Sequence, residues 1–182
     1  KTDFVTKVSK LQVGDPMDDL TKTGAVVSES HMNKVLSYIE LAKTEGGTIL
    51  AGGERAFLSG RCENGYFIKP TIIEGLPYDC RTNQEEIFGP VVTITPFDTE
   101  EAVLMYANST DYGLAATLWT QNLSKAHRMA EKLASGIVWI NCWLVRDLRT
   151  PFGGVKNSGV GREGGMEALH FFTEAKNVCI KY

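Results

Sequence analysis

The stretch from residue 91 to residue 140 narrows the fold more than any other part of the chain. Val91 to Phe97 is a β-branched run, and helical spacing follows from Asp98 to about Ala107. Leu114 to Trp119 is a second extended run. Asn122 then opens a helix with Leu123, Ala126, Met129, Ala130 and Leu133 on one face, and Ile137 to Ile140 is a third run. Crossovers of that length join parallel strands. The order predicts an α/β fold with a doubly wound, mostly parallel sheet. Asp98 with Glu101 has the spacing of a capping box, Asn122 is an N-cap, and Gly136 is placed to end the second helix.

The flanks read in the same way. Residues 1–12 suggest a short helix with Phe4, Val5 and Val8 on one face, ended by the turn Gly14-Asp15-Pro16. Glu29 to Gly46 is a stronger helix, with Val35, Leu36, Ile39 and Ala42 at helical spacing and Ser28 or Ser30 as cap. A short strand is expected at 48–51, a polar loop at 52–64, and extended chain at 66–73. Beyond Asn141, Pro151 to Gly165 holds six glycines and reads as a long structured loop. A turn or two of helix at 166–172 and a short apolar strand at 177–181 complete the expectation.

Composition excludes several functions. The net charge of -3, with no cluster of basic residues, argues against a nucleic-acid or acidic-membrane partner. No apolar run reaches the length of a membrane-spanning helix. The four cysteines, Cys62, Cys80, Cys142 and Cys179, form no C-x-x-C pair and no ligand spacing with a histidine, so no metal is expected. A chain of 182 residues needs no disulfide staples, so a reducing, cytoplasmic setting is expected. The first residue is Lys1 and no signal segment follows, so the chain reads as mid-protein sequence.

Isolated motifs do not assign a reaction. Gly159 to Gly164 matches G-x-G-x-x-G, but no apolar strand precedes it, which favours a structural loop over a phosphate cradle. Asp98, Glu100 and Glu101 at the other strand-to-helix turn would repel a pyrophosphate. His31, His127 and His170 stand far apart with no nucleophile beside them.

Longer motifs do. Gln84-Glu85-Glu86-Ile87-Phe88-Gly89-Pro90-Val91 resembles the E-E-I-F-G-P-V signature of the aldehyde dehydrogenase superfamily. Residues 151–164, Pro-Phe-Gly-Gly-Val-Lys-Asn-Ser-Gly-Val-Gly-Arg-Glu-Gly, resemble its P-F-G-G-x-K-x-S-G-x-G-R-E-x-G signature. Tyr112 to Ala116 and Ser135 to Asn141 stand between them in the family's style and order, and the resemblance spans the whole chain.

The resemblance implies the C-terminal part of an enzyme that oxidises an aldehyde to an acid with NAD. In such enzymes a cysteine thiolate attacks the aldehyde, and a thioester is later hydrolysed. The nucleophile, the general base and the oxyanion-binding asparagine match no residue here, so no catalytic residue is assigned and this chain alone is expected to be inactive. Residues 1–154 would belong to the Rossmann-like catalytic domain, and 155–182 would form a loop, a helix and an oligomerisation strand. By resemblance, Glu86 binds the nicotinamide-side ribose and Phe88 packs nearby. Lys34 and His31, at i and i+3 on one helix face, contact the cofactor, although His31 replaces a glutamine common there. Phe152 would line the substrate tunnel with Asn141 close by. A homodimer or homotetramer is implied.

Arg146 lies in Asn141-Cys142-Trp143-Leu144-Val145-Arg146-Asp147-Leu148-Arg149, a stretch similar to those of semialdehyde dehydrogenases of aromatic and tryptophan breakdown. Many relatives that act on simple aldehydes carry an apolar or aromatic residue there, so Arg146 implies a small aldehyde bearing a carboxylate. Arg149 competes for that role, and an ion pair with Asp147 would remove Arg146 from it. A broader aldehyde dehydrogenase is the alternative, and Arg146 would repel the cation of a betaine aldehyde. A non-catalytic structural protein of the same fold is a third reading.

Overall fold

The computed structural model describes residues 1–182, which divide into two compact units, Lys1–Pro96 and Phe97–Tyr182. The first contains α1 (Thr2–Ser9), α2 (Glu29–Thr44), β1 (Thr48–Ala51), β2 (Arg55–Ala56), β3 (Phe67–Ile68), β4 (Thr71–Glu74), α3 (Arg81–Gln84) and β5 (Val91–Ile94). The second contains α4 (Glu100–Asn108), β6 (Tyr112–Gly113), β7 (Ala115–Leu118), α5 (Leu123–Lys132), β8 (Ile137–Ile140), β9 (Val155–Lys156) and α6 (Gly165–Phe172). The α/β reading holds in both.

In the first unit β4 is the central strand, antiparallel to β1 and parallel to β5. Its Thr71, Ile72 and Ile73 are buried, as a strand flanked on both sides and covered by a helix should be. The cover is α2, whose Met32, Val35, Ile39 and Ala42 face inward at the spacing read from sequence. Ser28 caps α2 by accepting the His31 N–H. Met32, Val35 and Ile39 pack with Ile68, while Ala42 packs with Ile73 and Leu76. The expected polar loop at 52–64 also holds β2, paired antiparallel with β3, and a 3-10 turn at Gly60–Cys62. No residue of α1 is buried, and Phe4 is exposed.

The second unit holds a parallel crossover, β7–α5–β8, in the register Ala115↔Ile137 to Leu118↔Ile140. That pairing was legible from sequence. The partner of the first run, Val91–Ile94, was not, because β5 pairs with β4 in the first unit. Three local expectations also change. Thr99, not Asp98, caps α4 by accepting the Ala102 N–H, and position 102 offers no carboxylate to complete a box. The buried stripe of α5 begins at Ala126, leaving Leu123 exposed. Gly136 does not end α5: Leu133 takes extended backbone there. Gly136 is glycine because a Cβ would stand 1.7 Å from the Gly153 carbonyl oxygen, so β8 starts in contact with the 151–165 loop. Residues 177–181 form no strand, since a strand needs a neighbour and this chain offers them none. No helix is long and apolar enough to cross a membrane.

Ile39 is fully buried while Leu123 is 71% exposed. Ile39→Ala should destabilise the protein by roughly 2–5 kcal/mol. Leu123→Ala should change stability by no more than about 0.5 kcal/mol. Denaturant titration of both variants checks the assignment of the packed face.

Candidate functional sites on two loops

One face of α2 organises the first loop. His31, Lys34 and Tyr38 recur at helical spacing, and the C-cap residue Glu45 extends the row two turns further. Each reaches the segment 81–88, which is more than 35 residues away in the chain. Glu45 receives the N–H groups of Arg81 and Thr82 and the Thr82 hydroxyl, at 3.1, 3.2 and 2.6 Å, and so caps α3. Burial pushes the Glu45 carboxyl upward, but hydrogen bonds from Thr82, Cys80 and Arg81 outweigh it and the net shift is downward. Tyr38 donates to Glu85 at 2.5 Å, and Arg81 grips the same carboxylate at 2.7 and 3.0 Å. The Arg81 guanidinium first, and the Tyr38 hydroxyl second, hold Glu85 down to about 2. The Tyr38 phenol is pushed upward by its bond to Glu85 and by burial.

The next two contacts are to backbone. Lys34 Nζ donates to the Glu86 carbonyl at 2.9 Å, and His31 Nε2 lies 2.6 Å from the Phe88 carbonyl oxygen, the ring N–H donating. Phe88 has φ +58°, the left-handed region that costs a non-glycine residue on the order of 1 kcal/mol or more. Its ring is 74% exposed and meets the His31 imidazole edge-on at 6.0 Å. A Cβ at Gly89 would stand 2.6 Å from Val35, so only glycine lets the loop lie this close to α2. Glu86 is exposed and its carboxylate has no partner in the chain. The structure thus brings together His31, Lys34, Glu86 and Phe88. Sequence reasoning missed the tether of Tyr38, Glu45, Arg81 and Glu85. The row on α2 could be read, but its partners could not.

The second loop follows β8. Asn141 takes φ +55° and clamps the strand end through Thr120, accepting its N–H at 2.8 Å and donating to its carbonyl at 2.7 Å. That geometry gives the Asn141 carboxamide a structural task at the end of β8. Trp139 donates to the Val145 carbonyl and packs edge-on against Trp143, holding the loop to its strand. Asp147 is taken by Arg149, and the pairing pulls its carboxyl downward, so the ion pair that would have occupied Arg146 does not form. The Arg146 guanidinium instead lies 4.0 Å over the Phe152 ring, with a long 3.5 Å contact to Glu163. Phe152 and Glu163 exchange backbone hydrogen bonds at 2.7 and 2.8 Å. Arg146 and Phe152 are therefore neighbours.

Three glycines of 159–165 pack against their own chain. A Cβ at Gly161 would strike the Phe171 ring, one at Gly164 the Thr150 carbonyl, and one at Gly165 the Arg149 carbonyl. This supports the structural reading of G-x-G-x-x-G. Burial pushes the Cys80 thiol upward, as suits a packed side chain and not a nucleophile.

These features define an α/β protein whose chemistry-bearing residues sit on loops beside parallel strand pairs. The family model of the aldehyde dehydrogenases matches residues 1–178, and the chain belongs to that family. A 2-aminomuconic 6-semialdehyde dehydrogenase of a Pseudomonas species is 51% identical over 96% of this chain and 36% of that protein. A 2-hydroxymuconic semialdehyde dehydrogenase of Pseudomonas sp. strain CF600 is 49% identical over 94% of this chain and 35% of that protein. The NAD+ complex of an aldehyde dehydrogenase from Bacillus cereus superposes with a TM-score of 0.88 at 45% identity, covering 95% of this chain and 34% of that one. The chain thus spans a little over a third of the curated relatives it matches.

A depressed carboxyl favours the folded state above its unfolded value, and the benefit is lost as pH falls through the folded value. For Glu85 that window runs from 4.5 down to about 2. The stability deficit of Glu85→Gln relative to the parent should therefore be full near neutrality and shrink across that window. Tyr38→Phe should move the Glu85 titration upward, as read by carboxyl resonances.

Proposed function

We propose that the protein carrying this chain is an NAD-dependent dehydrogenase that oxidises a carboxylate-bearing semialdehyde, resembling 2-aminomuconate semialdehyde, to the acid. The observation that carries the substrate class is Arg146, stacked on Phe152 and spared by the Asp147–Arg149 pair. A guanidinium held flat offers a planar fork to a carboxylate. The surrounding Trp143, Leu144 and Val145 are exposed and apolar, which suits a substrate with an apolar body. Relatives named as muconic semialdehyde dehydrogenases support the same class.

The cofactor reading rests on Glu86 and Phe88. An unpartnered carboxylate can accept from two adjacent ribose hydroxyls, and an exposed ring beside it can pack against the sugar and nicotinamide. When bound, the nicotinamide supplies the hydride acceptor, and this chain's part is to hold and orient it. None of the four cysteines serves as nucleophile in this reading, so the thiolate belongs to sequence outside this chain. Residues 1–154 are assigned to the catalytic domain. Residues 155–182 are assigned to assembly, with Val178 and Ile180, both exposed, pairing with a second copy in a homodimer or homotetramer.

Arg146→Ala in the intact enzyme should lower kcat/KM for a carboxylate-bearing semialdehyde by roughly 2–5 kcal/mol, chiefly through KM. An uncharged aldehyde of similar size should be little affected, and equal losses for both would defeat the assignment. This chain alone should give no NADH above background with either aldehyde, and turnover would refute the placement of the nucleophile.

A further inference from the structure

The turn after β8 carries three charges in close succession, Arg146, Asp147 and Arg149. The Asp147 carboxylate goes to Arg149. It accepts the Arg149 Nε at 2.9 and 3.1 Å, the Nη2 at 2.5 Å and the backbone N–H at 2.9 Å. Arg146 is left over the Phe152 ring at 4.0 Å, and Glu163 reaches it only at 3.5 Å. The turn does not need the ion pair for its shape. The Asp147 carbonyl accepts the Thr150 N–H and hydroxyl at 3.0 and 2.7 Å, and the Leu148 carbonyl accepts the Gly165 N–H at 3.1 Å. A Cβ at Gly165 would stand 2.3 Å from the Arg149 carbonyl oxygen, so the turn lies directly against the start of α6. The paired side chains are open to solvent, 88% for Arg149 and 45% for Asp147, where an ion pair adds little stability. What the pair does change is charge: the loop presents one free guanidinium instead of two.

We propose that Asp147 and Arg149 determine specificity: by neutralising one of the loop's two guanidinium groups, Asp147 leaves Arg146 as the single free cation and favours a semialdehyde with one carboxylate over one with two. This deepens the semialdehyde reading above and rests on it for the role of Arg146. Specificity is a difference of affinities, and refusing a partner to the wrong substrate serves as well as adding a contact to the right one. A carboxylate that leaves water must meet a cation or donors, or its hydration is lost without replacement. One fork serves one carboxylate. A second carboxylate near the loop meets Arg149 only by displacing Asp147, which side-chain and backbone hydrogen bonds hold in place.

The test uses the intact enzyme with three aldehydes of similar size, one uncharged, one with a single carboxylate and one with two. Asp147→Asn removes the charge but keeps an oxygen to accept the Arg149 N–H. Arg149→Gln leaves the Asp147 carboxylate free beside Arg146. The double variant returns the loop to its parent net charge without the ion pair. Asp147→Asn should raise kcat/KM for the dicarboxylate relative to the monocarboxylate on the order of tenfold, chiefly through KM. Arg149→Gln should weaken both charged substrates, the dicarboxylate more. The double variant should return the ratio to within about twofold of the parent, as for two coupled charges. The ratio shift should shrink as salt is added. A structural role would instead depress all three aldehydes in each single variant, with no recovery in the double. That pattern overturns the proposal, as does an unchanged ratio in Asp147→Asn. Arg146→Ala in the same assay separates the two levels. If it weakens only the charged aldehydes while Asp147→Asn leaves the ratio unchanged, the semialdehyde reading stands and this inference falls. If it weakens all three alike, the role of Arg146 fails, and the Asp147→Asn ratio still decides whether Asp147 keeps Arg149 from anionic substrates.

Discussion

The first unit depends on one helix face meeting one irregular segment. His31, Lys34, Tyr38 and Glu45 share a side of α2, and their hydrogen bonds end between Arg81 and Phe88. The opposite requirement, burial, is met by Met32, Val35, Ile39 and Ala42 of the same helix. A single helix therefore serves the core with one stripe and holds an irregular loop with another. An irregular segment cannot satisfy its own backbone, so something must do it, and here the donors come from side chains at fixed helical spacing. This is why a loop without regular structure can present Glu86 in a defined way.

The buried part of that arrangement was legible in the sequence. The spacing of Val35, Ile39 and Ala42 specifies the inward stripe, and Ser28 marks where the helix begins. The polar stripe is equally periodic, but periodicity does not reveal what a polar face bonds to. Glu45 lies 36 residues before Arg81, and Lys34 lies 52 before Glu86. Pairings at such separations come from packing, not from local preference. The resemblance singled out Glu86, Phe88, Lys34 and His31, and the structure adds that Lys34 and His31 donate to the backbone of the segment that carries the other two.

Strand pairing shows the same boundary between local and non-local information. The β7–α5–β8 unit was readable because a crossover helix of ten residues leaves few alternatives. The place of β5 was not, since its partner β4 precedes it across a loop with no strong helical signal. Gly136 is a further case. Its position after a helix suggested a cap, yet the reason for glycine is the Gly153 carbonyl, a neighbour no window of sequence contains. Thr99 in place of Asp98 is the smallest error of this kind: two capping residues stand side by side, and the backbone selects the one whose hydroxyl reaches Ala102.

The loop after β8 shows how an arginine is kept available on a crowded segment. Two arginines and one aspartate lie within four residues, so competition for Asp147 decides which cation is spent. Arg149 wins with a bidentate grip that a two-residue separation makes geometrically easy, and its own backbone N–H reinforces it at 2.9 Å. Arg146 is left on the Phe152 ring, where attraction to the π face orients it without neutralising its charge. Glu163 sits only at the limit of a hydrogen bond, so its hold on Arg146 is weak and solvent-screened. Both loops follow one logic. On α2, Lys34 satisfies a carbonyl so that a carboxylate stays free. After β8, Arg149 satisfies a carboxylate so that a guanidinium stays free. In each case a nearby opposite charge that would have quenched the exposed group is denied it by a better-placed competitor.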